Sequence, residues 1–263
     1  MLLEIKDLNV SYEERPILKN ISLSVENGEI LGIVGESGSG KSTILKTILG
    51  ILGKNGKVES GNIYYEGNEI LLDDSLKMQE LCGEKIGMVF QNTVSTLSPI
   101  RTIDKQLIEF VQEHKNWTKQ EIRTKALKML DQMGLKDGKR ILKSYPFQLS
   151  GGMNQRIGIL FAMILNPPLL LADEPTSALD VTTAVQVVKE MLFLKETYHT
   201  SMIVVSHHMG VIDKMADKIA VVHNGKIVEY GTKEQVMHDP KSEVTKKLLG
   251  SVLYVKRKKK CRH

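Results

Sequence analysis

The fold of this chain is decided by the stretch Gly35-Glu36-Ser37-Gly38-Ser39-Gly40-Lys41-Ser42-Thr43. It has the pattern G-x-x-x-x-G-K-[ST], between an apolar run at 30–34 and a helical pattern at 44–49. A run that is apolar on both faces predicts a strand in the middle of a covered parallel sheet. The glycines let backbone N–H groups surround phosphate oxygens, and the helix start adds its positive dipole end. We therefore expect Lys41 to reach the β- and γ-phosphates of a nucleotide and Ser42 to place its hydroxyl on Mg²⁺.

A second apolar run ends in two neighbouring carboxylates. It reads Leu169-Leu170-Leu171-Ala172-Asp173-Glu174. In phosphoryl transfer such a strand brings an aspartate to the metal, and a carboxylate beside it can orient or deprotonate the attacking water. Alone, the pair would indicate only a solvated strand end. Beside a phosphate-binding loop, it indicates Asp173 as the Mg²⁺ residue and Glu174 as the residue that acts on water.

A third stretch, Leu149-Ser150-Gly151-Gly152-Met153-Asn154-Gln155-Arg156, opens a helix about 20 residues before the carboxylates. Ser-Gly-Gly at a helix start is a second set of N–H groups suited to an anion. With these motifs the chain resembles the ATP-binding cassette (ABC) ATPases from about residue 2 to residue 250. The resemblance implies that Ser150, Gly151 and Gly152 contact the γ-phosphate of ATP held by a partner ATPase in a head-to-tail dimer.

The resemblance also assigns roles to residues that carry no signal alone. Tyr12 is implied to stack on adenine, although a lone strand tyrosine usually only packs. Gln91 is implied to touch Mg²⁺ and water and to sense the transporter. His207 is implied to contact the γ-phosphate in preference to His208, and residues 177–180 to cross the dimer interface. The expected set is catalytic Glu174, His207, Lys41 and Gln91; ATP-binding Tyr12, Gly35, Glu36, Ser37, Gly38, Ser39, Gly40, Lys41, Ser42, Thr43, Ser150, Gly151 and Gly152; and Mg²⁺-binding Ser42, Gln91 and Asp173.

Strand and helix patterns alternate along the chain, which indicates an α/β fold. We expect a P-loop NTPase of the ABC ATPase type, with a mostly parallel core sheet, an antiparallel β-subdomain and an inserted α-helical subdomain at about 92–150. The nucleotide-binding domain is expected at 1–250 and a basic C-terminal tail at 251–263. Asn27-Gly28 and Asn224-Gly225 each predict a hairpin turn.

A net charge of +5 is compatible with nucleic-acid binding, but the position of the basic residues argues against it. Six basic residues lie at 256–262, and without them 30 basic residues face 31 acidic ones. The tail is therefore expected to be a solvated segment or to face an anionic membrane surface. Two cysteines are too few for a disulfide framework or a structural zinc site. No apolar run reaches the roughly 18–20 residues of a membrane span.

Finer resemblance points to the importer group for dipeptides, oligopeptides and nickel. The motif in that group containing Phe-Gln-(Asp/Glu)-Pro is similar to Phe90-Gln91-Asn92, although Thr93 here replaces the proline. Its Tyr-Pro-x-x-Leu-Ser-Gly-Gly-Met is similar to the segment at 145–153. Longer members carry a cysteine-containing extension. Because Cys261 stands alone near the end, we expect the short nickel or metallophore type.

The resemblance further implies ATP and Mg²⁺ as cofactors and a set of protein partners. These are a second, related but different ABC ATPase subunit, two membrane permease subunits bound in a groove of residues 92–150, and indirectly an extracytoplasmic solute-binding protein. The chain is expected at the cytoplasmic face of the cell membrane as a peripheral subunit. Three alternatives remain: the ATPase of an exporter or lipoprotein-release system, a soluble ABC ATPase acting on ribosomes or DNA, and a plain P-loop kinase or GTPase.

Overall fold

Two sheets and a set of helices make up the chain. A computed structural model describes residues 1–72 and 75–250, so the basic tail at 251–263, with Cys261, lies outside the described residues. The strands are β1 (Leu3–Tyr12), β2 (Arg15–Val25), β3 (Ile30–Val34), β4 (Gly56–Tyr65), β5 (Asn68–Glu69), β6 (Ile86–Val89), β7 (Leu169–Asp173), β8 (Ser201–Ser206), β9 (Lys218–His223) and β10 (Lys226–Thr232). The helices are α1 (Lys41–Ile48), α2 (Ser75–Leu81), α3 (Thr93–Thr96), α4 (Ile103–His114), α5 (Lys119–Gln132), α6 (Gly138–Lys143), α7 (Gly151–Met163), α8 (Val181–Tyr198), α9 (Met209–Met215), α10 (Lys233–His238) and α11 (Glu243–Gly250), with a 3₁₀ turn at Pro146–Gln148.

The larger sheet has the strand order β10-β9-β3-β8-β7-β6. Its strands pair in parallel from β9 to β6, and only the edge strand β10 is antiparallel to its neighbour. In β3, β7 and β8 every residue is buried. This confirms the expectation that apolar runs without alternation form the middle of a covered parallel sheet.

The two faces of this sheet contribute to separate cores. Alternate residues such as Leu31 and Ile33 pack with α1 and with the smaller sheet, and their neighbours such as Ile30 and Val34 pack with the helices on the other side. Successive side chains of a strand point to opposite faces, so one short apolar strand contributes to both cores. β3, the strand that leads into residues 35–40, is therefore packed on both faces.

The smaller sheet is antiparallel throughout, with the order β2-β1-β4-β5. The hairpin predicted at Asn27-Gly28 is wrong, because β2 and β3, which flank it, lie in different sheets. A turn does form there, and the Gly28 N–H donates to Ser201 Oγ at 2.8 Å. Both edges of β3 are taken by β8 and β9, so β2 has no free edge to join and pairs with β1 instead. The hairpin predicted at Asn224-Gly225 does form, between β9 and β10.

The segment between β6 and β7 is helical. Its helix α5 begins at Thr118, which forms a reciprocal capping box with Glu121. Buried residues then recur at helical spacing along α5, at Ile122, Ala126, Met129 and Leu130. In the described part of the chain, no helix combines the length and the apolar character that a bilayer span requires.

The close packing of α9 on β3 gives a stability test. A Cβ added at Gly32 of β3 would lie 2.3 Å from Ile212 Cγ2 and 3.0 Å from the Ala216 Cβ of the helix end. We expect Gly32→Ala to lower the free energy of unfolding by about 1–3 kcal/mol, because overpacking forces the helix away from the sheet. Gly210→Ala on α9 is the matched control, since a Cβ there has nothing within 4 Å. Thermal unfolding measures both, and equal melting temperatures would contradict this packing.

Candidate active site

The carboxyl ends of four parallel strands lie along one edge of the large sheet. The chain leaves β3 into residues 35–40, leaves β6 towards Gln91, leaves β7 at Asp173 and leaves β8 towards His207. Strands in parallel register deliver their following loops to the same edge, which is where open α/β sheets bind ligands. The structure therefore brings together residues that are widely separated in sequence.

The loop between β3 and α1 is shaped by glycines and braced by a distant hairpin. Gly38 and Gly40 have φ of +78° and +105°, a region that other residues rarely adopt. A Cβ at Gly40 would lie 2.7 Å from Leu18 Cδ2. The Gly225 N–H, in the turn between β9 and β10, donates to the Ser39 carbonyl at 3.0 Å. The sequence indicated that turn but not its contact with the loop.

Lys41 folds back into this loop. Its Nζ donates to the carbonyl oxygens of Gly35 at 2.9 Å and Glu36 at 2.7 Å, and its side chain is 4% exposed. Burial lowers the pKa of Lys41, and the nearby charges of Glu174 and Asp173 oppose that shift. The Ser39 hydroxyl is buried with no hydrogen-bond partner in the described residues. A buried ammonium and an unpaired hydroxyl in a glycine-rich loop fit a phosphate group.

Ser42 and Asp173 meet at the start of α1 and the end of β7. The Ser42 hydroxyl donates to Asp173 Oδ1 at 2.8 Å. Burial raises the pKa of Asp173 above its usual range, and the hydrogen bond from Ser42 opposes the shift. The described residues contain no group of three His, Cys, Asp or Glu side chains that could hold a metal ion. One carboxylate and one hydroxyl fit Mg²⁺, which is usually bound by one or two carboxylates, water and substrate phosphates.

The Glu174 carboxylate is held from two sides. Its Oε2 lies 3.2 Å from Gln91 Nε2, which donates to it, and 3.0 Å from His207 Nδ1. The Glu174 backbone has a φ of +45°, and its N–H donates to the Val205 carbonyl at 2.9 Å. A left-handed conformation at a residue other than glycine costs about 1–3 kcal/mol, so the surroundings must impose it. These contacts present one carboxylate at the edge of the sheet beside the loop.

The two adjacent histidines differ in their surroundings. The His207 ring contacts Glu174, and the His208 ring lies 3.9 Å from the His207 ring at a tilt of 45°. Burial lowers the pKa of His208, and the charge of His207 adds to the shift. The arrangement therefore puts His207, and not His208, against the carboxylate.

Tyr12 belongs to the smaller sheet, and the Ser150–Gly152 segment lines a concavity that contains no residue of the β3–α1 loop. Tyr12 ends β1, is half-buried and packs near Gly56. Ser150 caps α7 by accepting the Met153 N–H at 3.3 Å. With residues 178–183 this helix start lines a separate concavity of about 310 Å³. Across residues 1–72 and 75–250, no hydrogen bond connects Ser150, Gly151 or Gly152 to the β3–α1 loop.

Two interactions near the site gave no signal in the sequence. Thr93 Oγ1 lies 3.2 Å from Gln155 Oε1, and Arg156 Nε donates to Glu190 Oε2 at 2.9 Å. Each pair joins residues far apart in the chain, so local patterning cannot reveal it. The replacement of proline by Thr93 was visible in the sequence, but its partner was not.

The model of the family described as ABC transporter matches residues 18–177. The chain belongs to that family. It is 39% identical over 257 residues to the oligopeptide transport ATP-binding protein AmiE of Streptococcus pneumoniae, covering 96% of this chain and 72% of that protein. It is 38% identical over 252 residues to the metal-staphylopine import system ATP-binding protein CntD of Staphylococcus aureus, covering 95% and 93%.

Solved ABC cassettes share the architecture. The dimeric post-hydrolysis structure of the cassette MJ0796 bound to ADP and Pi has a TM-score of 0.78 and 29% identity to this chain, covering 88% of it and 99% of MJ0796. The expected P-loop ABC fold is thus confirmed, as are ATP binding and the class of ATP-hydrolysing transporter cassettes.

The buried Asp173 carboxylate of this ABC cassette predicts a pH-dependent cost in stability. Because the folded pKa is raised, the charged form destabilises the fold at neutral pH, and the penalty fades as the pH falls through the folded pKa. We expect Asp173→Asn to raise the melting temperature of the nucleotide-free chain by a few degrees at pH 7.5, and by progressively less as the pH is lowered through the folded pKa.

Asp180 supplies a control of opposite sign. It caps α8, and hydrogen bonds from Thr183 lower its pKa, so its charge stabilises the fold above the unfolded pKa and this contribution is lost as the pH falls through the folded pKa. Asp180→Asn should slightly lower the melting temperature at pH 7.5. If Asp173→Asn lowered the melting temperature at pH 7.5, the buried Asp173 carboxylate would not be destabilising the fold.

Proposed function

We propose that this chain is the ATP-hydrolysing subunit of an ABC importer for di- or oligopeptides or for metal–metallophore complexes. The observation that carries the catalytic part is the Glu174 carboxylate held by Gln91 and His207 at the edge that also carries Lys41. The importer part is supported by relatives that are named as oligopeptide, dipeptide and metal-staphylopine transport subunits.

The proposed roles follow from the chemistry of each side chain. Residues 35–43 bind the phosphates, with Lys41 on the β- and γ-phosphates. Ser42 and Asp173 hold Mg²⁺, with Gln91 next to it, and the ion neutralises charge on the phosphates. Glu174 orients or deprotonates the attacking water. Tyr12 stacks on the adenine.

His207 keeps Glu174 in place in the nucleotide-free chain. Its Nδ1 lies 3.0 Å from Glu174 Oε2. The γ-phosphate is proposed to draw this imidazole away from Glu174 towards itself. The carboxylate would then be freed for the water when a nucleotide is present.

The second helix start is proposed to serve a partner's ATP. Ser150, Gly151 and Gly152 line a concavity separate from the β3–α1 loop, and a Cβ at Gly151 has nothing within 4 Å. At Gly152 a Cβ would lie 2.7 Å from Thr183 Cγ2, so the open side of this helix start is at Gly151. The helix has 13 residues, and the N–H groups at its start suit an anion. A related cassette placed head-to-tail would bring its own phosphates there. The partner is proposed to be a different chain of the same family.

A groove beside the helical segment is proposed to bind a membrane permease subunit. Each of the two cassettes would bind one of the two permease subunits in this way. The groove has a volume of about 550 Å³, and Phe90, Phe110 and Phe161 line it together with the ion pair of Arg101 and Glu109. An apolar groove with a polar rim fits the apolar face of a short helix. In this arrangement the chain lies at the cytoplasmic face of the cell membrane, and a solute-binding protein delivers the cargo from the other side.

Glu174→Gln tests the catalytic proposal. We expect Mg²⁺-dependent ATP turnover to fall by roughly 10²–10⁴-fold, because the amide cannot accept the proton of water. ATP binding should persist, since Lys41 and Ser42 are unchanged. Steady-state hydrolysis and equilibrium binding of a fluorescent ATP analogue measure the two effects. Glu196→Gln, at an exposed position of α8, is the control. Turnover at the wild-type rate in Glu174→Gln would contradict the role of Glu174 in activating water.

Uptake by cells tests the cargo. Removal of this chain should abolish uptake of a radiolabelled dipeptide or of radioactive nickel offered with a metallophore, and the wild-type chain, but not the Glu174→Gln variant, should restore it. The neighbouring subunits co-purified from native membranes should include two permease chains. Unchanged uptake of both cargoes, together with a defect in secretion or lipoprotein release, would favour the exporter alternative.

A further inference from the structure

The helix that follows Gln91 packs against α7, and a buried hydrogen bond joins the two. Thr93 is the first residue of α3 and is 4% exposed, and Gln155 on α7 is 6% exposed. The Thr93 hydroxyl donates to Gln155 Oε1 at 3.2 Å, and the Phe90 carbonyl is a more distant acceptor at 3.5 Å. The Gln155 Nε2 is buried without a partner in the described residues, so this hydrogen bond is the one that its amide makes there. Its loss would leave a buried amide wholly unpaired, which is costly.

The surface of α7 is also shaped to receive Thr93. A Cβ added at Gly158, one turn beyond Gln155, would lie 2.6 Å from both Thr93 Cγ2 and Thr93 Oγ1. Thr93 therefore occupies a notch in α7 that exists because residue 158 is glycine. Proline, which the importer group resembled by this chain has at position 93, would fill the notch without donating a hydrogen bond.

The notch is close along the chain to residues of both proposed phosphate sites. Thr93 is two residues after Gln91, whose amide donates to Glu174 at 3.2 Å. Gln155 is on the helix that begins with Gly151, and Ser150 caps that helix. Thr93 and Gly158 also form part of the wall of the groove that contains Phe90 and Phe161. A shift of α7 relative to α3 would therefore move Thr93 or break its hydrogen bond, and a helix in the groove would contact the same wall.

We propose that Thr93 and Gln155 are positioning residues that fix Gln91 relative to α7 and so couple occupancy of the groove to the Glu174 carboxylate. The inference deepens the proposed function and rests on it, because it requires membrane subunits in the groove. Thr93 acts through Gln91 and does not touch the nucleotide. The hydroxyl, not the shape of the side chain, carries the coupling.

A pair of substitutions separates the hydroxyl from the shape. Thr93→Val keeps the branched shape and removes the hydroxyl, and Thr93→Ser keeps the hydroxyl and removes the methyl. The test uses the complete transport complex. Its readouts are the ratio of cargo-stimulated to basal ATP turnover, the KM for ATP and the melting temperature. Thr93→Val should reduce the stimulation ratio by about three- to tenfold, the loss expected for one buried hydrogen bond. Thr93→Ser should retain it.

Packing alone predicts the reverse order, with Thr93→Val close to wild type and Thr93→Ser defective, and that result would overturn the proposal. Thr124→Val is the matched control, because this exposed threonine donates only to the Gln120 carbonyl of its own helix. A double-mutant cycle with Gln155→Leu adds a second criterion. Thr93→Val should cost little more once Gln155 is replaced, and fully additive losses would contradict the link.

The wild-type complex separates this inference from the function on which it rests. If cargo does not stimulate wild-type turnover, the importer proposal fails, and the inference fails with it. If cargo stimulates the wild type and the Thr93→Val variant equally, only the inference fails. A general folding defect would lower the melting temperature and raise the KM for ATP together with the loss of stimulation.

Discussion

Parallel pairing of β3, β8, β7 and β6 is the constraint on which the site depends. Because these strands run side by side in one direction, the residues that follow them arrive at one edge of the sheet. Both faces of the sheet are packed, by α1 with the smaller sheet and by α7 to α9, so the edge cannot tilt freely. The loop at 35–40 thereby becomes a rigid cradle with the carboxylates in front of it.

Charged groups of opposite sign are concentrated at this edge of the sheet, and burying them costs folding free energy. Lys41 and Asp173 are both buried. Burial lowers the pKa of Lys41 and raises the pKa of Asp173, and so favours the neutral form of each. Glu174 adds a strained backbone and a second carboxylate. Each group is partly compensated by the others, through hydrogen bonds and opposite charge. A polyphosphate with its cation offers both an anion for Lys41 and a positive charge for the carboxylates, which is consistent with membership in an ATPase family.

The start of α7 forms a second region, which is built by contacts between α7 and α8. The Ser150–Gly152 segment faces a concavity shared with the start of α8, away from the Lys41 loop. The Arg156–Glu190 ion pair joins the same two helices further along, with Glu190 4% exposed. Truncating one member would leave a buried charge unpaired, so the relative placement of α7 and α8 is strongly fixed. In the described residues, the start of α7 lines a concavity that contains no residue of the loop proposed to bind phosphate, which supports the proposal that two cassettes act together.

Local chemistry made some parts of this protein predictable from the order of its residues. The Gly35–Thr43 loop, the Asp173-Glu174 strand end and the cap at Ser150 were readable because each is a continuous stretch whose backbone and side chains act together. Tertiary structure decided the rest: that β2 joins β1 and not β3, that the turn at Gly225 braces Ser39, and that Thr93 fits the notch at Gly158. Those outcomes depend on which strand edges remain free and which atoms meet across the core. No short window of sequence contains both partners of such a contact.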